Sequence, residues 1–138
     1  MRPAHRLRQI VNAVNLATPL GLAAAKAQRG RLERGPDGLV IGRDATGRFP
    51  VAAAYTVGNV VVVRPGVELT DDLLAHEGAH ATQWACCVVL FLPLYAAAMG
   101  WSWLRTGDHW SRNVFERRAG LAAGGYVENP VRRRRQAG

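Results

Sequence analysis

Residues 70–87 read Thr-Asp-Asp-Leu-Leu-Ala-His-Glu-Gly-Ala-His-Ala-Thr-Gln-Trp-Ala-Cys-Cys. The stretch holds no proline, and the next one is Pro93. Thr70 can cap the unpaired N–H groups of a first helical turn, and Asp71 and Asp72 complement its positive end. A helix here puts His76 and His80 on one face, because residues four apart stack above one another. Two imidazoles that converge on a point can each offer a nitrogen to one Zn²⁺. Glu77 sits one step round, where its carboxylate reaches a water rather than the ion, as a general base must. The pattern is His-Glu-x-x-His, and two of the chain's four histidines form it.

Outward from this helix the chain divides. Residues 1–30 predict one amphipathic helix, with Leu7, Ile10, Val11, Val14, Leu20 and Ala24 near helical spacing. Arg2, Arg6 and Arg8 before an apolar stretch look superficially like an export signal. Asn12, Asn15 and Pro19 interrupt the apolar run and argue against one. Short β-type segments follow. Arg31–Arg34 and Leu39–Gly42 flank Gly35-Pro36-Asp37-Gly38, and Val51–Val57 and Val60–Arg64 meet at the hairpin signal Gly58-Asn59. They predict a small antiparallel sheet. A further helix is expected from Asn113, with Glu116 three residues on completing a capping box, to an end near Gly124-Gly125. The expectation is an α+β fold: an N-terminal helix over 1–30, a single domain over 31–128 and a basic tail over 129–138.

A site built on the histidine pair needs a third ligand. Glu116, His109, Asp108 and Cys87 are the candidates. Cys87 lies two helical turns beyond His80, too far along the axis. Glu116 is preferred, because a helix folding back antiparallel carries its carboxylate beside the pair; His109 ranks behind it.

HEGAHATQW over 76–84 and NVFERRAG over 113–120 resemble the small gluzincin-type metallopeptidase domains. Their pattern is HExxHxxQ followed by a glutamate-led E-x-x-A helix, and they include the metallopeptidase-like domains of contractile injection system loci. The resemblance covers roughly residues 51–125. It implies a zincin-like fold, Zn²⁺ as cofactor, a peptide or protein substrate, His76, His80 and Glu116 as ligands, and Glu77 as catalytic base. Gln83 corresponds to the recurrent glutamine after the second histidine. Val60–Val63 would be the edge strand over the cleft, to which an extended peptide adds. Many relatives place an aspartate four residues after the ligand glutamate to orient a histidine, and this chain has Gly120 there. Tyr126 and His109 are the candidates for a transition-state donor.

Composition narrows the partners. The 138 residues carry a net charge of +8, divided as +6 over residues 1–34, −3 over 35–104 and +5 over 105–138. No aromatic residue interleaves Arg132–Arg135, so nucleic-acid binding is disfavoured. Cys86 and Cys87 are adjacent, which excludes a disulfide-stapled fold. Ala81–Leu104 is 24 residues without a charge, long enough to cross a bilayer. A single crossing would part the two basic ends, against the preference of basic flanks for one side. The expectation is a helix that breaks near Pro93 and folds back to pack in the core, on a partner or against a membrane surface. A cytoplasmic or membrane-associated protein is favoured over a secreted one.

Overall fold

Val60-Val61-Val62-Val63 shows no polar alternation, as expected of a strand covered on both faces. In the computed structural model, which describes residues 2–48 and 50–132, these valines form strand β4 (Val60–Val63) with every side chain buried. Before it come helices α1 (Pro3–Val14) and α2 (Ala17–Ala27) and strands β1 (Arg31–Arg34), β2 (Val40–Arg43) and β3 (Ala54–Val57). After it come helices α3 (Asp71–Cys87), α4 (Phe91–Thr106) and α5 (Val114–Ala119). The α+β class holds. On one side of the sheet, Leu22 and Ala25 of α2 pack on Val60 and Val62. On the other, Leu73, Leu74 and Ala81 of α3 pack on Ile41, Val61 and Val63. Each fully buried valine contributes about 1.5–3 kcal/mol, so this strand anchors both layers.

The sheet is mixed, not antiparallel throughout. Its order is β1-β2-β4-β3. β1 and β2 are antiparallel, as are β3 and β4 with Val57 opposite Val60, but β2 and β4 run parallel with Val40 opposite Val60. The two expected hairpins both form; what local sequence left open is how they join. Arg64 settles the crossing between them. Its guanidinium donates to the carbonyls of Ala45, Gly47 and Pro50, holding the connection from β2 to β3 in place. A second correction follows. β4 lies inside the sheet, and the edge beside α3 is β3. One carbonyl on that edge, that of Thr56, already accepts from the Trp84 indole at 2.9 Å.

The expected N-terminal helix is two. Leu16 takes a left-handed φ of 65°, and the Asn15 side chain accepts from the Ala17 N–H at 2.9 Å to start α2. Pro19 then falls in the first turn of α2, where its missing N–H costs little. The face of α1 is also reversed. Arg8 and Asn12 are the buried residues, while Leu7, Ile10 and Val14 are exposed. Hydrogen-bond partners decide this: Asn12 donates to Asn59 Oδ1 at 3.0 Å and to the Ala81 carbonyl at 2.8 Å.

The break expected near Pro93 comes earlier, at Val88, which has a φ of 53°, and a single 3-10 turn over Val88–Leu90 leads into α4 at a bend of 118°. Pro93 then sits in the first turn of α4, since it has no N–H with which to continue α3 through that point. α5 starts as expected, with Asn113 Oδ1 accepting from the Phe115 N–H at 3.0 Å. It ends at Gly120, φ 97°, rather than near Gly124-Gly125. No single helix among the described residues is long and apolar enough to cross a membrane. Arg133–Arg135 of the basic tail lie outside the described residues.

Candidate metal centre

Thr70 accepts from the Leu73 N–H at 3.2 Å, so α3 begins where its cap predicts. The helix then presents two neighbouring stripes. Leu73, Glu77, Ala81 and Trp84 follow the sheet side, and His76, His80 and Gln83 turn toward α5. The return of the chain through α4 carries Glu116 of α5 to the histidines. The Nε2 atoms of His76 and His80 stand 3.1 Å apart. Glu116 Oε2 lies 3.2 Å from the first and 3.4 Å from the second. All three residues are buried.

Their outer contacts fix which atoms carry protons. The Nδ1 of His76 is 3.0 Å from the Gly120 carbonyl, which can only accept, so this Nδ1 bears the hydrogen. The Nδ1 of His80 is 2.8 Å from Gln83 Oε1, whose own amide nitrogen donates to the Phe115 carbonyl at 2.9 Å. It too is the donor. In the neutral rings both Nε2 atoms are therefore bare lone pairs aimed at one another and at a carboxylate. Glu116 Oε2 is buried without a hydrogen-bond partner among the described residues, while Oε1 accepts from the Tyr95 hydroxyl. With both rings neutral, these three converging acceptors suit a divalent cation, and two imidazoles and a carboxylate suit zinc.

Backbone orients His76. Gly120 has no side chain, but its left-handed conformation turns its carbonyl onto His76 and supplies the orienting bond directly. That carbonyl also accepts from the Gly124 N–H at 3.1 Å, which folds residues 120–126 over the site. Gly124 has no alternative there. A Cβ on it would stand 2.5 Å from His76 Cε1 and 2.7 Å from Nε2. Gly124→Ala is expected to weaken zinc binding at least about tenfold by tilting His76, whereas Gly100→Ala, in open space on α4, leaves it unchanged. Competition against a chromogenic chelator measures both, and equal affinities would remove the turn from the site.

Glu77 is buried on the neighbouring stripe, and its Oε2 accepts from the Thr56 hydroxyl at 2.6 Å. Burial raises its pKa, and this outweighs the opposing pull of Thr56 and the two histidines. Glu116 goes the other way. Burial opposes its charge, but the imidazoles of His76 and His80, which donate to it once protonated, and the Tyr95 hydroxyl bring it down to about 2. Burial likewise pulls His80 down, and the bond and charge of Glu116 more than reverse it, so its pKa is raised.

Of the other sequence candidates, Tyr126 stands nearest, its ring centre 6.2 Å from that of His76 and stacked on Trp110 at 5.1 Å. Burial, then the charge of Glu116, raises its pKa, so it keeps its proton. His109 is exposed and packs edge-on against Trp110, outside the cluster. Asp108 accepts from the Ser111 N–H at 2.8 Å and the Trp110 N–H at 3.2 Å, shaping the turn before α5. Cys87 packs in an apolar cluster around Trp84 and Phe91. Glu116 does not fold back as a capping box; it is spent on the histidines. Two contributors went unread in the sequence, Thr56 and Tyr95. Tyr95 carried a signal, as one of the few hydroxyls in the uncharged run, while nothing marks Thr56 in its strand. Compared with known proteins, the chain matches no family model, no curated protein and no solved structure.

Proposed function

We propose that the protein is a zinc-dependent peptidase of gluzincin type with a zincin-like arrangement of its site helices. The observation that supports this is the convergence of His76, His80 and Glu116 on one point, with the buried carboxylate of Glu77 on the adjoining face of the same helix. His76, His80 and Glu116 would hold the ion. Zinc bound there supplies a Lewis acid that polarises a peptide carbonyl and makes water acidic enough to attack near neutral pH. The rest is the work of the chain. Glu77 accepts a proton from the attacking water, aided by a pKa that burial has raised, and returns it to the departing amine. Thr56 holds the carboxylate in position. Tyr95 and Gly120 fix Glu116 and His76, and Tyr126, protonated, is the donor to the developing oxyanion.

A second reading has its own observation. The three site residues are almost fully covered, the turn at Gly124 presses on His76, and a surface depression bordered by Arg8, Asp37, Leu74 and Thr82 lies against other residues. That favours a metal-stabilised module that does not turn over substrate. Elemental analysis and hydrolysis of a fluorogenic peptide pool separate the two. One zinc per chain, with cleavage lost to a chelator and restored by zinc, is expected of the peptidase. One zinc without cleavage leaves the module, and a protein free of metal after growth in ample zinc ends both readings.

A further inference from the structure

Two helices of this protein bare apolar faces that a helix on a water-facing surface would keep polar. In α1, Arg8 and Asn12 point inward, with Arg8 donating to the carbonyls of Asp37 at 2.6 Å and Gly78 at 3.3 Å. Leu7, Ile10 and Val14 are left 63%, 60% and 78% exposed. In α4 the inward stripe is Phe91, Tyr95, Ala98, Met99 and Ser102. Its other face is no more polar: Leu92, Leu94, Trp101, Trp103 and Leu104 are all exposed, and the helix carries no charge before Arg105. A helix that is apolar all round belongs in a core or in lipid. This one has a core on one side only.

The two bare faces belong to adjoining parts of the structure. Ala17, where α1 turns into α2, clusters with Trp84 of α3 and Phe91 of α4. The exposed Leu16 and Leu90 lie on these same two bends, and the exposed Leu20 in the first turn of α2. Charge is confined to the far ends. Arg2 and Arg6 flank the start of α1, and no carboxylate precedes Glu33. At the end of α4, Arg105 lies over the Trp101 ring at 5.5 Å and Arg132 over the Trp103 ring at 5.7 Å. The main-chain N–H of Arg132 donates to the Arg105 carbonyl at 2.8 Å, tying residue 132 to that end. From Gly78 to Gly107 there is no acidic residue.

We propose that the outer faces of α1 and α4 dock this protein onto a bilayer containing anionic phospholipids, lying in its interface rather than crossing it. Charge complementarity selects this occupant over a second copy of the chain. Leucines in the acyl boundary, tryptophans at headgroup depth and arginines on the phosphates form the order such an interface takes. Two copies face to face would bring arginine-bearing ends together. At 16 residues, α4 is about 24 Å long and short of a hydrocarbon core, which agrees with a shallow position. The proposal is independent of whether the metal centre is catalytic.

The test is flotation of the full chain with vesicles of phosphatidylglycerol and phosphatidylcholine in equal parts, at low and high salt. Wild type is expected to float at low salt and less so at high salt. Its tryptophan emission should shift to the blue and be quenched by acyl-brominated lipid, an effect that Trp101→Phe with Trp103→Phe removes. Leu94→Glu on α4 and Ile10→Glu on α1 should each lower partitioning about tenfold or more. Both positions are exposed, so circular dichroism and zinc content should match wild type. Failure of wild type to float at low salt overturns the proposal, as do variants that float equally well. A stable dimer in size exclusion that Leu94→Glu dissociates, with vesicles left unbound, overturns it in favour of a second copy.

Discussion

Glu77→Gln is expected to lower peptide hydrolysis by about 10²–10⁴-fold while zinc stays at one per chain. Glutamine keeps the shape of the side chain and can still accept from the Thr56 hydroxyl, so the surroundings need not move. It cannot take a proton from water. The variant also carries a stability signature that a merely structural glutamate lacks. Burial raises the pKa of Glu77, which means that the folded chain resists its ionisation. At neutral pH the metal-free variant should therefore melt at or above the wild-type temperature. Differential scanning fluorimetry after chelation measures this. A variant that loses zinc, or that melts well below wild type, would show Glu77 to be a structural prop rather than a base.

Glu116→Ala is expected to lower zinc affinity by about 10²-fold or more, because it removes one of three donors and the acceptor of Tyr95 together. The metal-free proteins should differ in a pH-dependent way. The Glu116 pKa falls from an ordinary 4.5 to about 2 on folding, so its contribution is present above 4.5 and lost as pH falls through about 2. His80 is raised from 6.5, so its contribution is present below 6.5 and lost as pH rises through the higher value. Both shifts describe one buried pair. The gap in melting temperature between wild type and Glu116→Ala should then be widest between about pH 4.5 and 6.5, and narrow on either side. Melting curves across that range decide it. A constant gap would mean that Glu116 acts by filling space and not by pairing with His80.

Much of the candidate site was legible because its signals are local. His76 and His80 share a face through helical spacing alone, and Thr70 and Asn113 cap their helices with their own side chains. Gly58-Asn59 turns a hairpin for the same reason. Other features were illegible for an equally definite cause. The backbone carbonyl that orients His76 exists at every residue, so no residue type at position 120 announces it. The amphipathic spacing of α1 was visible, but not that its apolar stripe would face outward. That choice rests on carbonyls of Asp37, Gly78 and Ala81, far away in the chain.

By itself the sequence determined the α+β class, the two hairpins, the starts of α3 and α5 and the pairing of two imidazoles one helical turn apart. Each depends on groups within a few residues of one another, where steric and hydrogen-bonding rules act without help. Tertiary structure decided the parallel seam between β2 and β4, the placing of Thr56, Tyr95 and Gly120 around the histidines, and which faces of α1 and α4 stay bare. These depend on buried polar groups finding partners across the fold. An unpaired donor or carboxylate is costly enough to override the hydrophobic pattern of any one helix.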